Sequence, residues 1–373
     1  MKHILTPFLT SATLALALVV PATASTFVQT ELQPGDLTLG SFFGRSVAAA
    51  GQILVAGAFA LRAPGAAYVY QRSSDAWSLQ AELHAPQPAA QDEFGLSVAT
   101  DGATVVVGAV GATYIFVNNN GVWTPQAQIA LTGFSVAVSH DTIAVAGSGQ
   151  VFVYRRNGSG VWNAEASWAI PQATAVALDS NTLVVGAALV GTSLGTEVGT
   201  ALVFVRSNNV WTQEATLNAN DPMAFAEFGF AVGVSGDTAV VGAPGDGTDV
   251  LNPRPGSAYV YIRNSGIWTE QAELFGAGAS EGSNFGTGLA VIGNTLAVGA
   301  YDDDDSIGGS AFLYNRNGVT WTQTAELLPD NAQSGQRFAN TVAMADKNTF
   351  VFGSPNVSSG LRNSGAVYVF MQH

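Results

Sequence analysis

One four-part pattern recurs seven times between Phe43 and Phe370. Its parts read Phe-Gly-x-Ser-Val-Ala, Val-Val-Gly-Ala, Gly-Ala-Tyr-Val-Tyr, and a Trp that is followed six residues later by Leu. Each part is short, rich in β-branched and aromatic residues, and bounded by Gly, Asn, Asp or Ser, which is typical of strands joined by turns. Four strands per unit and many units in a row predict an all-β propeller built of four-stranded blades.

The first part of the pattern predicts the innermost strand of each blade, and its fourth copy has lost the Phe-Gly pair. The seven copies begin at Phe43, Phe94, Phe134, Ala173, Phe228, Phe285 and Phe338.

The Trp of the fourth part predicts a half-buried strand. Even offsets of four and six residues place the Trp, an Ala and the final Leu on one strand face, while polar residues occupy the other. We therefore expect the Trp side chains to pack in the core rather than to form platforms for sugars. They are Trp77, Trp123, Trp162, Trp211, Trp268 and Trp321.

The number of copies predicts seven blades with a closed ring. Parts one to three occur seven times, but the Trp part occurs only six times. The stretch from Thr26 to Leu32 ends in Glu-Leu, as does the Trp strand that ends at Glu82-Leu83. We expect this N-terminal strand to complete the blade that begins at Phe338, which removes exposed sheet edges. The propeller would then occupy residues 25–373.

The first 24 residues are typical of a secretory signal peptide. A basic start at Lys2 precedes an apolar stretch from Ala12 to Val20, and Ala22-Thr23-Ala24 supplies a small-x-small cleavage site. The apolar stretch is too short to span a bilayer, so no membrane insertion is expected. The chain has no cysteine, and the fold therefore uses no disulfide. These features predict a secreted or periplasmic protein, which we expect to be a monomer.

Negative charge is concentrated on one predicted face. Without its signal the chain has 12 basic and 27 acidic residues, a net charge of 12 − 27 = −15, which argues against nucleic acid and anionic membranes as partners. We call the side with the connections between second and third strands, and the links between blades, the long-loop face. It carries four arginines, Arg62, Arg254, Arg337 and Arg362, against fourteen acids, a net charge of 4 − 14 = −10. The acids are Asp36, Asp92, Glu93, Glu197, Asp221, Glu227, Asp246, Asp249, Glu281, Asp302, Asp303, Asp304, Asp305 and Asp330.

The repeat resembles that of the bacterial FG-GAP repeat proteins, relatives of the integrin α-chain propeller. The resemblance covers residues 26 to 370 and depends on the Phe-Gly pairs, on Val241-Gly242-Ala243-Pro244 and Phe352-Gly353-Ser354-Pro355, and on the Trp strands. It implies adhesion or recognition, an analogy at the level of the fold. In integrin-like propellers a calcium loop separates the first two strands. Here short turns such as Ile292 to Thr295 take its place, so those calcium sites are not expected.

Two groups of acids are candidate sites on the long-loop face. The run Asp302-Asp303-Asp304-Asp305 offers oxygen ligands suited to calcium, although consecutive like charges are also typical of a solvated loop. No other cofactor is indicated. The candidate binding residues, for a cationic partner or for calcium, are Asp246, Asp249, Asp92, Glu93, Asp221 and Glu227.

The sequence favours a binding protein over an enzyme. Apart from the signal it has only His84, His140 and His373, which cannot form the clusters that metal or triad catalysis uses. We therefore expect a non-catalytic propeller that recognises an extracellular protein or glycan through its acidic long-loop face. Two alternatives stay open: an extracellular polysaccharide hydrolase or lyase, and a purely structural matrix protein.

Overall fold

The computed structural model describes residues 26–60, 64–89, 91–189, 191, 198–247, 255–302, 308–358 and 361–373. The predicted signal peptide, Asp249 and the run from Asp303 to Asp305 lie outside these residues. Within them, no helix is long and apolar enough to cross a membrane.

The described residues form seven four-stranded antiparallel sheets arranged as a ring, which confirms the predicted seven-bladed propeller. Blade 1 contains β2 Ser46–Ala50, β3 Ile53–Ala58, β4 Ala66–Ser73 and β5 Ala76–Leu83; blade 2 contains β6 Ser97–Thr100, β7 Thr104–Ala109, β8 Ala112–Asn119 and β9 Val122–Ile129. Blade 3 contains β10 Ser135–Ser139, β11 Thr142–Gly147, β12 Gln150–Arg156 and β13 Trp162–Ala169; blade 4 contains β14 Ala175–Asp179, β15 Thr182–Ala187, β16 Thr200–Ser207 and β17 Val210–Leu217. Blade 5 contains β18 Val232–Ser235, β19 Thr238–Ala243, β20 Ser257–Asn264 and β21 Ile267–Leu274; blade 6 contains β22 Phe285–Ile292, β23 Thr295–Ala300, β24 Ser310–Asn317 and β25 Thr320–Leu327. Blade 7 contains β26 Thr341–Asp346, β27 Thr349–Ser354, β28 Ala366–Gln372 and β1 Phe27–Leu32.

The N-terminal strand closes the ring as the sequence predicts. β1 pairs with β28 from Phe27 opposite Gln372 to Leu32 opposite Val367. Blade 7 therefore takes three strands from the end of the chain and one from its beginning, and its ladder of hydrogen bonds joins the two.

The glycines of the motif meet across the blade interfaces. The backbone of Gly242, in the second strand of blade 5, lies so close to the carbonyl of Gly286 in blade 6 that a Cβ atom would overlap it. The same contact joins blade 7 to blade 1, where Gly353 meets the carbonyl of Gly44. The serine of the motif adds a hydrogen bond to such a carbonyl, since Ser46 Oγ donates to Gly95 O at 2.8 Å. Phe-Gly-x-Ser and Val-Gly-Ala are therefore two halves of one interface between blades.

The motif phenylalanines are core residues. Phe43, Phe94, Phe228, Phe285 and Phe338 are at most 1% exposed. Each packs against aromatic rings of the third strand of its own blade.

The Trp side chains pack at the perimeter of the ring, as expected. Trp77, Trp123, Trp211 and Trp321 are 7–8% exposed. Most indole N–H groups donate to a Gln or Glu of the preceding blade, as Trp268 Nε1 does to Glu214 Oε2 at 2.8 Å. These bonds occupy the polar edge of the indole ring, so the Trp set serves packing between neighbouring blades.

The sequence interpretation of Phe134 as the motif phenylalanine was wrong by two residues. Ser135 is paired with Ala146 just as Ser97 is paired with Gly108. This register places Gly133 at the motif glycine and Phe134 at the variable position x, where its side chain is 55% exposed. The close approach between blades sets this register, because Gly108 of blade 2 meets the carbonyl of Gly133 in blade 3. The position of the phenylalanine does not set it.

Candidate functional site: the central cavity on the long-loop face

A cavity of about 640 Å³ occupies the centre of the ring and takes lining residues from all seven blades. The lining comes from the first residues of the innermost strands, such as Ser46 and Val47 of β2, which enter the ring from the long-loop face. The cavity therefore opens on that face. Its volume is within the range of about 300–1,000 Å³ that is usual for ligand pockets.

The variable position x of Phe-Gly-x-Ser supplies one cavity residue per blade. The two positions after x line the cavity as well. Position x itself is at least partly exposed in every blade except blade 6, where Thr287 is 7% exposed and donates to Asn284 O at 2.6 Å. In blade order these residues are Arg45, Leu96, Phe134, Thr174, Phe230, Thr287 and Asn340.

Two arginines give the cavity a cationic side. Arg45 of blade 1 and Arg337 of blade 7 both line it, and the first strands of these blades pack against each other. Burial lowers the pKa of Arg45, and the charge of Arg337 lowers it further. The guanidinium of Arg337 lies 5.1 Å from the centre of the Tyr301 ring, a cation–π contact.

Acids surround this cationic side at its outer edge. The pKa of Tyr301 is raised by burial and by the charges of Asp302 and Glu227, and Arg337 opposes that rise. Asn284 Nδ2 donates to Asp302 Oδ2 at 3.0 Å. The charges of Asp302 and Glu227, both predicted site residues, therefore act on the same tyrosine, although neither carboxylate lines the cavity.

The structure places the other predicted acids in separate blades. Asp92 accepts hydrogen bonds from the backbone N–H groups of Ala89 and Phe94, at 3.1 and 3.3 Å, and so shapes its own turn. Glu93 follows in the same turn and is half-buried. Both belong to blade 2, whereas Asp221 and Asp246 belong to blade 5.

Asp246 and Asp221 meet at one tyrosine. Tyr259 Oη lies 3.1 Å from Asp246 Oδ2, 3.2 Å from Asp221 Oδ1 and 3.1 Å from Glu273 Oε1, and Ser257 donates to Asp246. Burial and these carboxylates raise the pKa of Tyr259. Asp246 is only 1% exposed, so it lies inside its loop and not on the solvent-facing surface that the sequence indicated.

The turns in place of the integrin-like calcium loop are short, as predicted. β22 ends at Ile292 and β23 begins at Thr295, which leaves two residues for the connection. Among the described residues, no group of three or more His, Asp or Glu side chains is arranged to hold a metal ion. The calcium hypothesis for Asp302 to Asp305 depends on three residues outside that part of the chain.

The residues that line the cavity were not predicted from the sequence. Arg45 belongs to neither of the predicted faces, and the Phe-Gly-x-Ser segments were expected to serve packing alone. The signal was present in the variability of x, which ranges from arginine to phenylalanine while its neighbours repeat.

Comparisons with known proteins agree with this fold. The model of the FG-GAP repeat family matches residues 77–121, 211–261, 268–314 and 321–370. No curated protein matches the chain.

Similar solved structures include a Lactobacillus plantarum protein, with 14% identity and a TM-score of 0.54, covering 78% of this chain and 86% of that one. Saccharomyces cerevisiae Sqt1 has 11% identity and a TM-score of 0.51, covering 92% of this chain and 98% of that one. A chain of the S. cerevisiae complex of a Dbp5 variant with Nup159, a Gle1 variant, IP6 and ADP has 10% identity and a TM-score of 0.53, covering 94% and 96%. At these identities the likeness shows the fold alone. Because the family matches cover more than half of its residues, the chain belongs to the FG-GAP repeat family.

Proposed function

We propose that this protein is an exported, non-catalytic binding propeller that recognises an extracellular protein or glycan through its long-loop face. The observation that carries the proposal is the central cavity. The motif glycines and phenylalanines are occupied in packing, whereas the variable position x and the two positions after it line a ligand-sized opening on this face. Long variable loops on a rigid scaffold are where binding residues usually lie.

The test is a binding screen followed by face-specific variants. Residues 26–373 are applied to glycan and protein arrays, and every hit is measured again with Phe134→Arg and Val122→Arg. Phe134 lies at the cavity and Val122 follows the turn between β8 and β9 on the opposite, short-turn face; both are more than half exposed. We expect Phe134→Arg to weaken binding at least about tenfold, roughly 1.4 kcal/mol, and Val122→Arg to leave it unchanged.

Other results separate the alternatives. Loss of binding in Val122→Arg alone would move the site to the short-turn face. No hit on any array would favour the structural matrix protein. Release of fragments from a bound polysaccharide would favour the hydrolase or lyase. Export is checked separately, since cleavage after Ala24 would give a product that begins at Ser25.

A further inference from the structure

The arginine pair of the cavity is arranged to receive an anion. No carboxylate of the described residues lines the cavity or forms an ion pair with Arg45 or Arg337. The other arginines described in blades 1 and 3 to 5 do have such partners, as Arg72 has in Asp346 at 2.8 Å. Two like charges in adjacent blades repel each other, and a bound anion would relieve that repulsion. A planar carboxylate fits a guanidinium with two parallel hydrogen bonds.

The opposite side of the cavity carries two aromatic rings, one on either side of Thr174 in blade 4. In a ring of seven, blade 5 lies across from blade 1, and blade 3 lies across from blade 7. Phe230 of blade 5 and Phe134 of blade 3, which are 40% and 55% exposed, therefore lie across the axis from the two arginines. An occupant that spans the cavity would meet cations at one end and aromatic rings at the other.

Polar uncharged groups complete the lining. Thr174 and Asn340 also occupy position x, and both are accessible. The Thr174 hydroxyl donates to Gly229 O at 2.8 Å and can still accept a hydrogen bond, and the Asn340 amide can donate and accept. These groups suit a ligand with several hydroxyl groups better than a purely aromatic acid.

We propose that the cavity binds a uronate sugar, with its carboxylate at Arg45 and Arg337 and the apolar face of its ring against Phe230 or Phe134. This inference rests on the proposed function and names the ligand class of the same site. It also gives the acidic long-loop face a centre of opposite charge. The cavity would then select an anionic ligand although the surrounding face is acidic.

The test compares each acid with its own neutral ester. Trimers of galacturonate, glucuronate and mannuronate, and the methyl ester of each, are titrated calorimetrically into residues 26–373. At least one acid should bind about tenfold or more tightly than its ester. Arg45→Gln and Arg337→Gln should each remove that preference, and Phe230→Ala should weaken acid and ester alike.

Arg362→Gln is the matched control. Arg362 is exposed on the same face and does not line the cavity, so this variant removes one positive charge and should keep the preference for the acid. Thermal unfolding of each variant checks that the fold is intact. Equal binding of acid and ester, an equal effect of all three arginine variants, or no binding of any acid would each overturn the uronate proposal. The array result with Phe134→Arg decides the proposed function independently.

Discussion

At the scale of single residues, most interfaces between blades depend on a glycine in the second strand, a position that Ala146 occupies in blade 3. Gly242 has an ordinary backbone conformation, so its requirement does not come from φ. It comes from the neighbouring blade, because a Cβ atom would overlap the backbone carbonyl of Gly286, which cannot rotate away as a side chain would. The second glycine of the family signature is therefore a contact between blades.

We predict that Gly242→Ala destabilises the fold by about 1–3 kcal/mol or more, because the blades must separate to admit a methyl group. The measurement is the free energy of unfolding in denaturant. Gly158→Ala is the control, since a Cβ atom there meets nothing within 4 Å and φ is not positive; it should change stability by less than about 1 kcal/mol. A neutral Gly242→Ala would show that the interface is looser than the backbone contact implies.

The same scale shows what the sequence could reveal about the site. The structure confirms that the Trp side chains pack between blades, and four of the six are buried. The prediction that Trp, Ala and Leu share one strand face was wrong, because each Trp strand contains a β-bulge. In blade 1 the bulge directs Trp77 toward blade 7, and Ala81 and Leu83 toward blade 2. The importance of Arg45 did not follow, because a repeat is recognised by its constant positions and the cavity is lined by its variable one. Which variable side chains face each other depends on the closure of the ring, and no single repeat contains that information.

At the scale of elements, the interface between blades 7 and 1 has its own electrostatic contact. Arg72 of β4 contacts both Asp346 Oδ2 of β26 and Thr349 Oγ1 of β27 at 2.8 Å. Burial alone would raise the pKa of Asp346. Hydrogen bonds from the Asn348 backbone, Arg72 and Thr349, together with the charge of Arg72, outweigh it and hold the pKa below its ordinary value of 3.8.

This shift predicts a pH-dependent contribution to stability. Because the pKa of Asp346 is lower in the folded state, the carboxylate stabilises the fold above the ordinary value of 3.8 and loses that effect as the pH falls through the folded pKa. Asp346→Asn should therefore be less stable than the natural chain near about pH 6, and the difference should narrow toward about pH 3. Unfolding in denaturant at several pH values measures it. The control Asp75→Asn removes an exposed turn charge, and its difference in stability from the natural chain should not narrow at low pH. A difference in stability for Asp346→Asn that stays constant with pH would contradict the prediction.

Register is the property of elements that the sequence predicted least reliably. In blade 3 the predicted motif phenylalanine was Phe134, although Gly133 holds the glycine position and Phe134 therefore lies at x, two positions further along. The motif phenylalanines are buried and Phe134 is exposed, so this slip of two positions hid an exposed aromatic residue at the cavity. The strands of the other blades carry a Phe-Gly pair or a recognisable remnant of it, and their order and number were predicted correctly.

At the scale of the whole molecule, stability depends on how the ring is closed. The ends of the described chain are adjacent, since His373 N donates to Thr26 O at 3.1 Å. Every other blade is continuous in sequence and meets its neighbours by packing and side-chain hydrogen bonds, whereas blade 7 joins the two ends of the chain by a strand ladder. Opening the ring within that blade therefore requires the loss of the backbone hydrogen bonds of a strand pair.

Two circular permutants separate the contribution of packing between blades from that of the strand ladder that joins the two ends of the chain. In both, a short linker joins His373 to Thr26 and turns β28 and β1 into a hairpin. The first begins at Ser159 and ends at Gly158, in the turn between β12 and β13, so blade 3 now combines one strand from the start with three from the end. The second begins at Gln87 and ends at Pro86, between blades 1 and 2, so that every blade is continuous and no ladder joins the ends.

We predict that the first permutant unfolds at about the rate of the natural chain and that the second unfolds faster. In the second, blades 1 and 2 are held together by packing and by bonds such as that from Ser46 Oγ to Gly95 O, and separating them breaks no strand pairing. Unfolding rates in denaturant measure the difference. If both permutants unfold at the natural rate, packing between blades suffices to hold the ring; if both unfold faster, the continuity of blade 3 matters more than the shared blade.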